Sequence, residues 1–430
     1  MVEPHARGPA PVPFGRALGL WAWIGLISFG GPAGQIALLH RELVERRQWI
    51  AEGRFLNALN FCMLLPGPEA QQLATYCGWM LHGTRGAIAA GGLFVLPSAL
   101  LLFGLAWLYA ALGALPATEA FFRAFEPAVV AIVLVALTHV GKRALKRPMH
   151  VVIAGLALVA LTLGVPFPAV VVTAALVGWC DAVIRARRAP AAVVAPVASP
   201  APQIPDRPNP WRALRTATVC GGLWWTPVFA CWWILGRESV FVDLGLFFSK
   251  AALVTFGGAY AVLPYIATAS VETYAWTDPE AVMVGLALAE TTPGPLIMVT
   301  QWIGTLAAWN EPLGGSPVVS AALGAALVTW VTFLPCFLFI LVGAPYVERL
   351  TQNTRLAAAL AAITAAVVGG IVSLALWFAR RALFEPDFEP RWIAIAAAAT
   401  FLVALLRWRW SMHAVVGAAA CLGLVQALLA

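Results

Sequence analysis

Two tripeptides occur twice in this chain, and both can present bare backbone to an anion. Phe29-Gly30-Gly31 returns as Phe256-Gly257-Gly258, and Pro66-Gly67-Pro68 returns as Pro293-Gly294-Pro295. Paired glycines let the chain turn and leave N–H groups uncovered. A proline suits the first position of a new helix, where its missing N–H has no partner to lose. Pro68 and Pro295 therefore read as helix starts, and Pro32, Pro66 and Pro293 as helix breakers. Each helix N-terminus carries roughly half a positive charge and attracts anions. The expected chemistry is the holding of a small anion by the N–H groups of Gly30, Gly31, Gly67, Gly257, Gly258 and Gly294, with no covalent step and no catalytic residue.

Polar side chains cluster within a few helical turns of these motifs. Ser28, Gln35, Gln71, Gln72, Thr255 and Thr292 offer neutral donors for oxyanion oxygens, and Phe29 belongs to the same constellation. Lys250 lies six residues before Phe256, either neutralising a bound anion or snorkelling to an interface. Charged groups inside a membrane are costly and tend to be functional. Glu69 follows the first Pro-Gly-Pro and reads either as a carboxylate on its own helix N-terminus or as a proton carrier. Glu290 precedes the second Pro-Gly-Pro and has Met63 at the matching position; it is the other candidate for proton coupling. The plainer reading, simple kinks and close helix contacts, fits one isolated motif. It does not account for both motifs recurring 37 residues apart, from Gly30 to Gly67 and from Gly257 to Gly294.

The elements that position these residues are transmembrane helices. Of 430 residues, 61% are hydrophobic and 11% charged, and the mean hydropathy is +0.84. About a quarter of a soluble domain is charged, and a helix of about 20 apolar residues spans a bilayer core. An all-α polytopic membrane protein with about 13 hydrophobic segments is expected. The apolar run after Arg16 leads into the glycine cluster without a small-residue cleavage site, so it reads as a retained span. The seven cysteines lie in apolar segments without CxxC spacing, and the six histidines form no ligand pair. No metal and no cofactor is expected. The net charge of +7 sits in loops, as the positive-inside bias requires, and does not indicate nucleic acid.

The chain is an internal duplication. The two motifs, together with Trp49 and Trp276, repeat at a spacing of 227 residues (Phe29 to Phe256). Beyond an insertion near Asn310 to Pro317 the spacing becomes 238, pairing Leu96-Pro97 with Leu334-Pro335 and Ala128-Val129-Val130 with Ala366-Val367-Val368. The expected organisation is a repeat over 1–185, a Pro/Ala-rich linker over 186–210, and a second repeat over 211–430 with an extra span near 219–236. Cations collect at Arg41 to Arg54 in the first repeat, while the equivalent Thr268 to Glu280 is acidic. Inverted repeats with broken or re-entrant helices follow, with the N-terminus cytoplasmic and the C-terminus periplasmic. Arg380, Arg381 and Arg391 count against this orientation.

The stretches SFGGPAGQIALLHRE and LLPGPEAQQLATYCGW, then TFGGAYAVLPYI and AETTPGPLIMVTQWIG, resemble the long, two-domain form of the bacterial chromate ion transporters, from about Phe14 to Leu429. The resemblance implies an inner-membrane protein that exports chromate, driven by the proton motive force, and confers resistance. By position, the signature residues are Phe29, Gly30, Gly31, Pro32, Gln35, Pro66, Gly67, Pro68 and Gln72, then Phe256, Gly257, Gly258, Pro264, Pro293, Gly294 and Pro295. Ala259-Tyr260 stands where the first motif has Pro32-Ala33, so the two faces of the site are not equivalent. Competing readings are an importer or exchanger of sulfate or another oxyanion, a passive anion channel, and a membrane enzyme. The last would need an Asp, His or Arg cluster that is absent from the sequence. The partners expected are the chromate or sulfate anion and the lipid bilayer; a homodimer is compatible with the sequence.

Overall fold

A computed structural model describes residues 12–112, 116–188, 209–347, 350 and 353–429. Helix α1 (Phe14–Ile27) stops at Ser28, and α2 (Gly31–His40) starts three residues later because Gly30 and Gly31 take φ of 90° and 67°, closed to most side chains. A π turn (Arg41–Arg46) and α3 (Glu52–Cys62) follow. The first Pro-Gly-Pro separates α3 from α4 (Glu69–Leu112), which is two helices joined at His82-Gly83, where the backbone leaves helical geometry. Then come α5 (Pro116–Arg123), α6 (Phe125–Ala144), α7 (Pro148–Thr162) and α8 (Phe167–Arg188).

After α9 (Pro210–Leu235) the same order returns. Helix α10 (Val240–Val254) ends at Thr255, the glycine pair turns the chain into α11 (Ala259–Thr268), and a π turn (Ala269–Thr273) leads to α12 (Pro279–Thr291). The second Pro-Gly-Pro and a short 3-10 turn precede α13 (Val299–Asn310). Helices α14 (Pro317–Gly343), α15 (Thr354–Leu383), α16 (Trp392–Leu406) and α17 (Met412–Leu429) complete the chain. The repetition reaches backbone detail. The Trp49 N–H donates to Leu43 O at 2.8 Å and the Trp276 N–H to Ser270 O at 2.8 Å. The residues before them, Gln48 and Ala275, both have positive φ, 54° and 50°.

Among the described residues, six helices are long and apolar enough to cross a membrane: α4, α6, α8, α9, α14 and α15. Helices α1, α7, α16 and α17 are shorter apolar ones. Length therefore does not reach the thirteen segments expected, because the motif-bearing stretches are breaks between shorter helices. The extra span expected at 219–236 is the later part of α9, which starts at Pro210 with the Asn209 side chain accepting from the Trp211 and Arg212 N–H groups. The expected linker is shorter at both ends, since α8 runs to Arg188 and α9 begins at Pro210; its residues 189–208 lie outside the described residues.

One buried apolar cluster joins both halves, from Phe125–Val133 of α6 through Phe241, Phe247 and Phe248 of α10 to Trp302 of α13 and Ile371 of α15. Helix α15 packs on α6, α7, α8 and α11, and α14 on α4, α9, α10 and α13. The three arginines that oppose the orientation are each engaged. Arg391 donates to Glu126 Oε2 at 2.8 Å, Arg380 to the carbonyls of Glu385 and Pro386, and the Arg381 guanidinium lies 4.3 Å from the Trp377 ring centroid.

Candidate functional site

The Pro-Gly-Pro motif of each half meets the glycine turn of the other half. The Gly67 N–H donates to Thr255 O at 2.6 Å, and the Gly294 N–H donates to Ser28 O at 3.0 Å. Donors and acceptors are both 227 residues apart, so the same interaction is made twice, once by each motif pair. Close packing enforces it. With φ of 128°, a Cβ on Gly67 would lie 2.7 Å from Cys336 Sγ and from Gln72 Nε2. With φ of 106°, one on Gly294 would lie 2.5 Å from Ser98 Cβ. The two Pro-Gly-Pro glycines, expected to offer free N–H groups to an anion, instead fasten the two glycine turns to the other half.

The uncommitted donors are those of the Phe-Gly-Gly turns. Within them, the Phe29 N–H donates to Ile27 O at 2.9 Å and the Phe256 N–H to Val254 O at 3.0 Å. No backbone partner is found among the described residues for the N–H groups of Gly30, Gly31, Gly257 and Gly258. These residues open α2 and α11, whose first N–H groups have no partner within the helix. There is also space in front of them. A Cβ on Gly30 or Gly31 would meet nothing nearer than 3.8 Å, and one on Gly258 nothing nearer than 3.8 Å.

The side chains expected to surround the anion divide into two groups. Ser28 and Thr255 are buried, but their hydroxyls donate back into their own helices, to Gly25 O at 3.0 Å and Ala251 O at 2.5 Å. Gln35 Nε2 donates to Ser28 O at 3.0 Å and Gly294 O at 2.6 Å, stitching the first turn to the opposite Pro-Gly-Pro. The Gln71 amide donates to Thr75 Oγ1 and the Gln72 amide to Pro66 O, and each leaves a buried Oε1 without a partner. Thr292 is buried beside its own helix end, where its hydroxyl lies 3.5 Å from Ala289 O. Phe29 is exposed, and so is Lys250 of α10.

The two carboxyls are also exchanged between halves. Glu69, first residue of α4, has Oε1 3.8 Å from where a Cβ on Gly258 would stand. Glu290, in the last turn of α12, has Oε2 4.0 Å from the same point on Gly31. Each half thus supplies the acid that faces the other half's glycine turn. Glu290 is 3% exposed; its Oε1 accepts from the Tyr260 hydroxyl, and its Oε2 has no partner. Tyr260 and Ser98 were not legible as site residues. Nor was His413, whose ring packs edge-on against Phe29 at 5.4 Å and whose Nε2 is buried without a partner. A usable signal did exist for Tyr260, since it occupies the place where the second motif departs from the first. Among the described residues no group of three His, Cys, Asp or Glu is placed to hold a metal.

The arrangement leaves two sets of backbone N–H groups open, each with a carboxyl of the other half beside it, half-buried Glu69 at Gly258 and buried Glu290 at Gly31. The sequence profile of the family described as "Chromate transporter" matches residues 17–179 and again 242–424. A chromate transport protein of Pseudomonas aeruginosa is 31% identical over 413 residues, covering 95% of this chain and 91% of that protein. One of Cupriavidus metallidurans is 29% identical, covering 94% and 90%. A probable chromate transport protein of Synechococcus elongatus is 28% identical, covering 85% and 84%. No solved structure matches the chain.

Proposed function

From the premise that this chain belongs to the chromate transporter family, a multi-pass membrane protein of the transport class, we propose that it carries chromate out of the cytoplasm across the inner membrane. The observation that carries the proposal is the pair of Phe-Gly-Gly turns, cross-fastened by the Gly67 and Gly294 hydrogen bonds, with their own N–H groups left open. Inverted repeats built this way bind substrate at the repeat interface, where broken helices present their N-termini. A tetrahedral dianion fits donors from two directions. The site is then Gly30-Gly31 and Gly257-Gly258, with Gln71, Gln72 and Thr292 near it, and with Gly67, Gly294, Ser28, Thr255 and Gln35 as its frame. Lys250 contributes no direct contact.

Export needs no more than the membrane potential, because moving one charge through 100 mV is worth about 2.3 kcal/mol and chromate carries two. Glu69 and Glu290 are the proton-coupling candidates, and export confers resistance. The N-terminus is cytoplasmic and the C-terminus periplasmic in this reading. Support comes from the excess of cations at Arg41, Arg46, Arg47 and Arg54, where the equivalent stretch of the second half carries Glu272, Asp278 and Glu280 and no cation.

The test is chromate accumulation in cells with and without the protein, with sulfate as competitor and with an uncoupler. Lower accumulation that the uncoupler abolishes is expected. Higher accumulation that sulfate suppresses overturns the direction and makes the protein an oxyanion importer. The binding geometry is tested by Gly31→Val and Gly258→Val. A Cβ at either position meets no atom nearer than 3.8 Å, and positive φ costs about 1–3 kcal/mol, so protein should still reach the membrane while transport is lost. Transport that survives both removes the backbone cradle.

A further inference from the structure

We propose that the Glu290 carboxylate is a built-in competitor of the transported anion at the N-terminus of α2, so that the anion binds only when Glu290 has taken up a proton. This rests on the reading that the anion sits at the Phe-Gly-Gly turns and adds the coupling rule of that site. The starting point is Oε2 of Glu290: buried, without a partner, and 4 Å from where a Cβ on Gly31 would stand. Gly31 is the first residue of a ten-residue helix with no side-chain cap. An ordinary capping carboxylate would accept an N–H of that first turn, and Oε2 accepts none. It stands in the space an anion would need, at the distance of a neighbour that can be displaced.

The two acids are not equivalent in this respect. Glu69 begins α4, so its charge is favoured by its own helix's positive end. Glu290 ends α12, so its charge is opposed by its own helix and favoured from across the interface, by the N-terminus of α2 and by the hydroxyl that Tyr260 donates. When Glu290 is ionised, α2 already faces a negative charge, and a dianion arriving there meets like-charge repulsion in a medium of low dielectric. When Glu290 takes up a proton from the aqueous phase, that repulsion ends and the N-terminus of α2 is free for the anion. Release of the anion on the other side returns the proton to water there. One dianion and one proton then move together, with a net transfer of one negative charge.

Other titratable groups near α12 do not duplicate this role. The Tyr260 hydroxyl of α11 touches Glu290 Oε1 and holds the carboxyl in place. Glu126 of α6 is engaged by Arg391, Glu69 of α4 stands at the other turn, and His413 of α17 lies against Phe29. Glu119 and Arg123 of α5 pair with each other, and Arg380 and Arg381 of α15 have partners at its end. Tyr260 is therefore a positioning residue and Glu290 the competing group.

The experiment is chromate binding to the purified full-length protein by equilibrium dialysis across mildly acid to mildly alkaline pH, for the wild type, Glu290→Gln, Tyr260→Phe and Gly31→Val. Chromate itself takes up a proton in this range, so the difference between wild type and Glu290→Gln isolates the carboxyl. Above the pH at which Glu290 ionises, wild-type affinity should fall about tenfold per pH unit more steeply than that of Glu290→Gln, the slope of one linked proton. In proteoliposomes, chromate movement should carry a proton with the wild type and none with Glu290→Gln. Tyr260→Phe should still bind chromate but with a displaced pH profile, which also serves if Glu290→Gln does not fold. Equal slopes for wild type and Glu290→Gln, loss of all binding in a folded Glu290→Gln, or an undisplaced Tyr260→Phe profile overturns the inference. Binding that survives Gly31→Val instead overturns the site on which it rests.

Discussion

The two Phe-Gly-Gly turns share positive φ at both glycines and differ in their surroundings. Gly30-Gly31 and Gly257-Gly258 all lie at φ between 67° and 92°, and the Phe N–H closes the same short turn in both. Yet Phe29 is exposed beside His413 and Gly30 is open, whereas Phe256 packs on the central core and Gly258 is buried. The first turn is steadied by the Gln35 amide, where the second has buried Val262. The first faces Glu290 at the end of a helix, the second Glu69 at the start of one. Duplication preserved what backbone must do and let the side chains diverge, so one conformation has an open turn and a closed one.

The largest effect expected is from breaking what the two turns share. Gly67→Val and Gly294→Val combine positive-φ strain with overpacking against Cys336 and Ser98, a sum of about 2–6 kcal/mol. Both should collapse the yield of folded protein; a fold that tolerates either shows that the crossed hydrogen bonds are dispensable. Next comes a contact between the halves that has no counterpart. Arg391→Ala leaves Glu126 buried and unpaired and should destabilise by about 3–5 kcal/mol in detergent unfolding, with Glu126→Gln combined with Arg391→Met recovering much of it. Equal stability of the single and double variants would break this account.

Gln35→Leu separates the turns more gently. It removes two hydrogen bonds from the first turn and none from the second, and should lower stability by about 1–3 kcal/mol. A Gln35→Leu variant as stable as the wild type would show that the amide stitch does not steady the first turn. The smallest effect lies at the second repeated turn. Ala275 holds a left-handed conformation that costs an L-residue about 1–2 kcal/mol, so Ala275→Gly should raise the unfolding temperature slightly, less the entropy glycine loses on folding. A fall would mean that the Ala275 side chain packs more than its exposure suggests.

Much of the architecture was legible in single residues. Gly30-Gly31 and Gly257-Gly258 break helices because only glycine takes those dihedrals cheaply, and that is local chemistry. The fixed spacing of Trp49 and Trp276 reported the duplication because each closes the same backbone turn. The segment count was not legible in the same way. An apolar run looks alike to composition whether it crosses the membrane whole or is broken midway, so α2, α3 and α10 to α13 could not be told from spans by their hydropathy.

The sequence by itself determined that the chain is an all-α membrane protein and where its helices break at Gly30-Gly31 and Gly257-Gly258. Each of these follows from local preferences: apolar length, proline's missing N–H, glycine's free φ. Tertiary structure alone decided which break meets which. The N–H groups of Gly67 and Gly294, free by sequence logic, are taken by Thr255 and Ser28, more than 180 residues away in the chain. Likewise Glu290 faces Gly31 and Glu69 faces Gly258, pairings that no spacing could reveal. The physical reason is that a buried donor must find an acceptor wherever packing brings one, and in two interlocked repeats packing brings it from the other half.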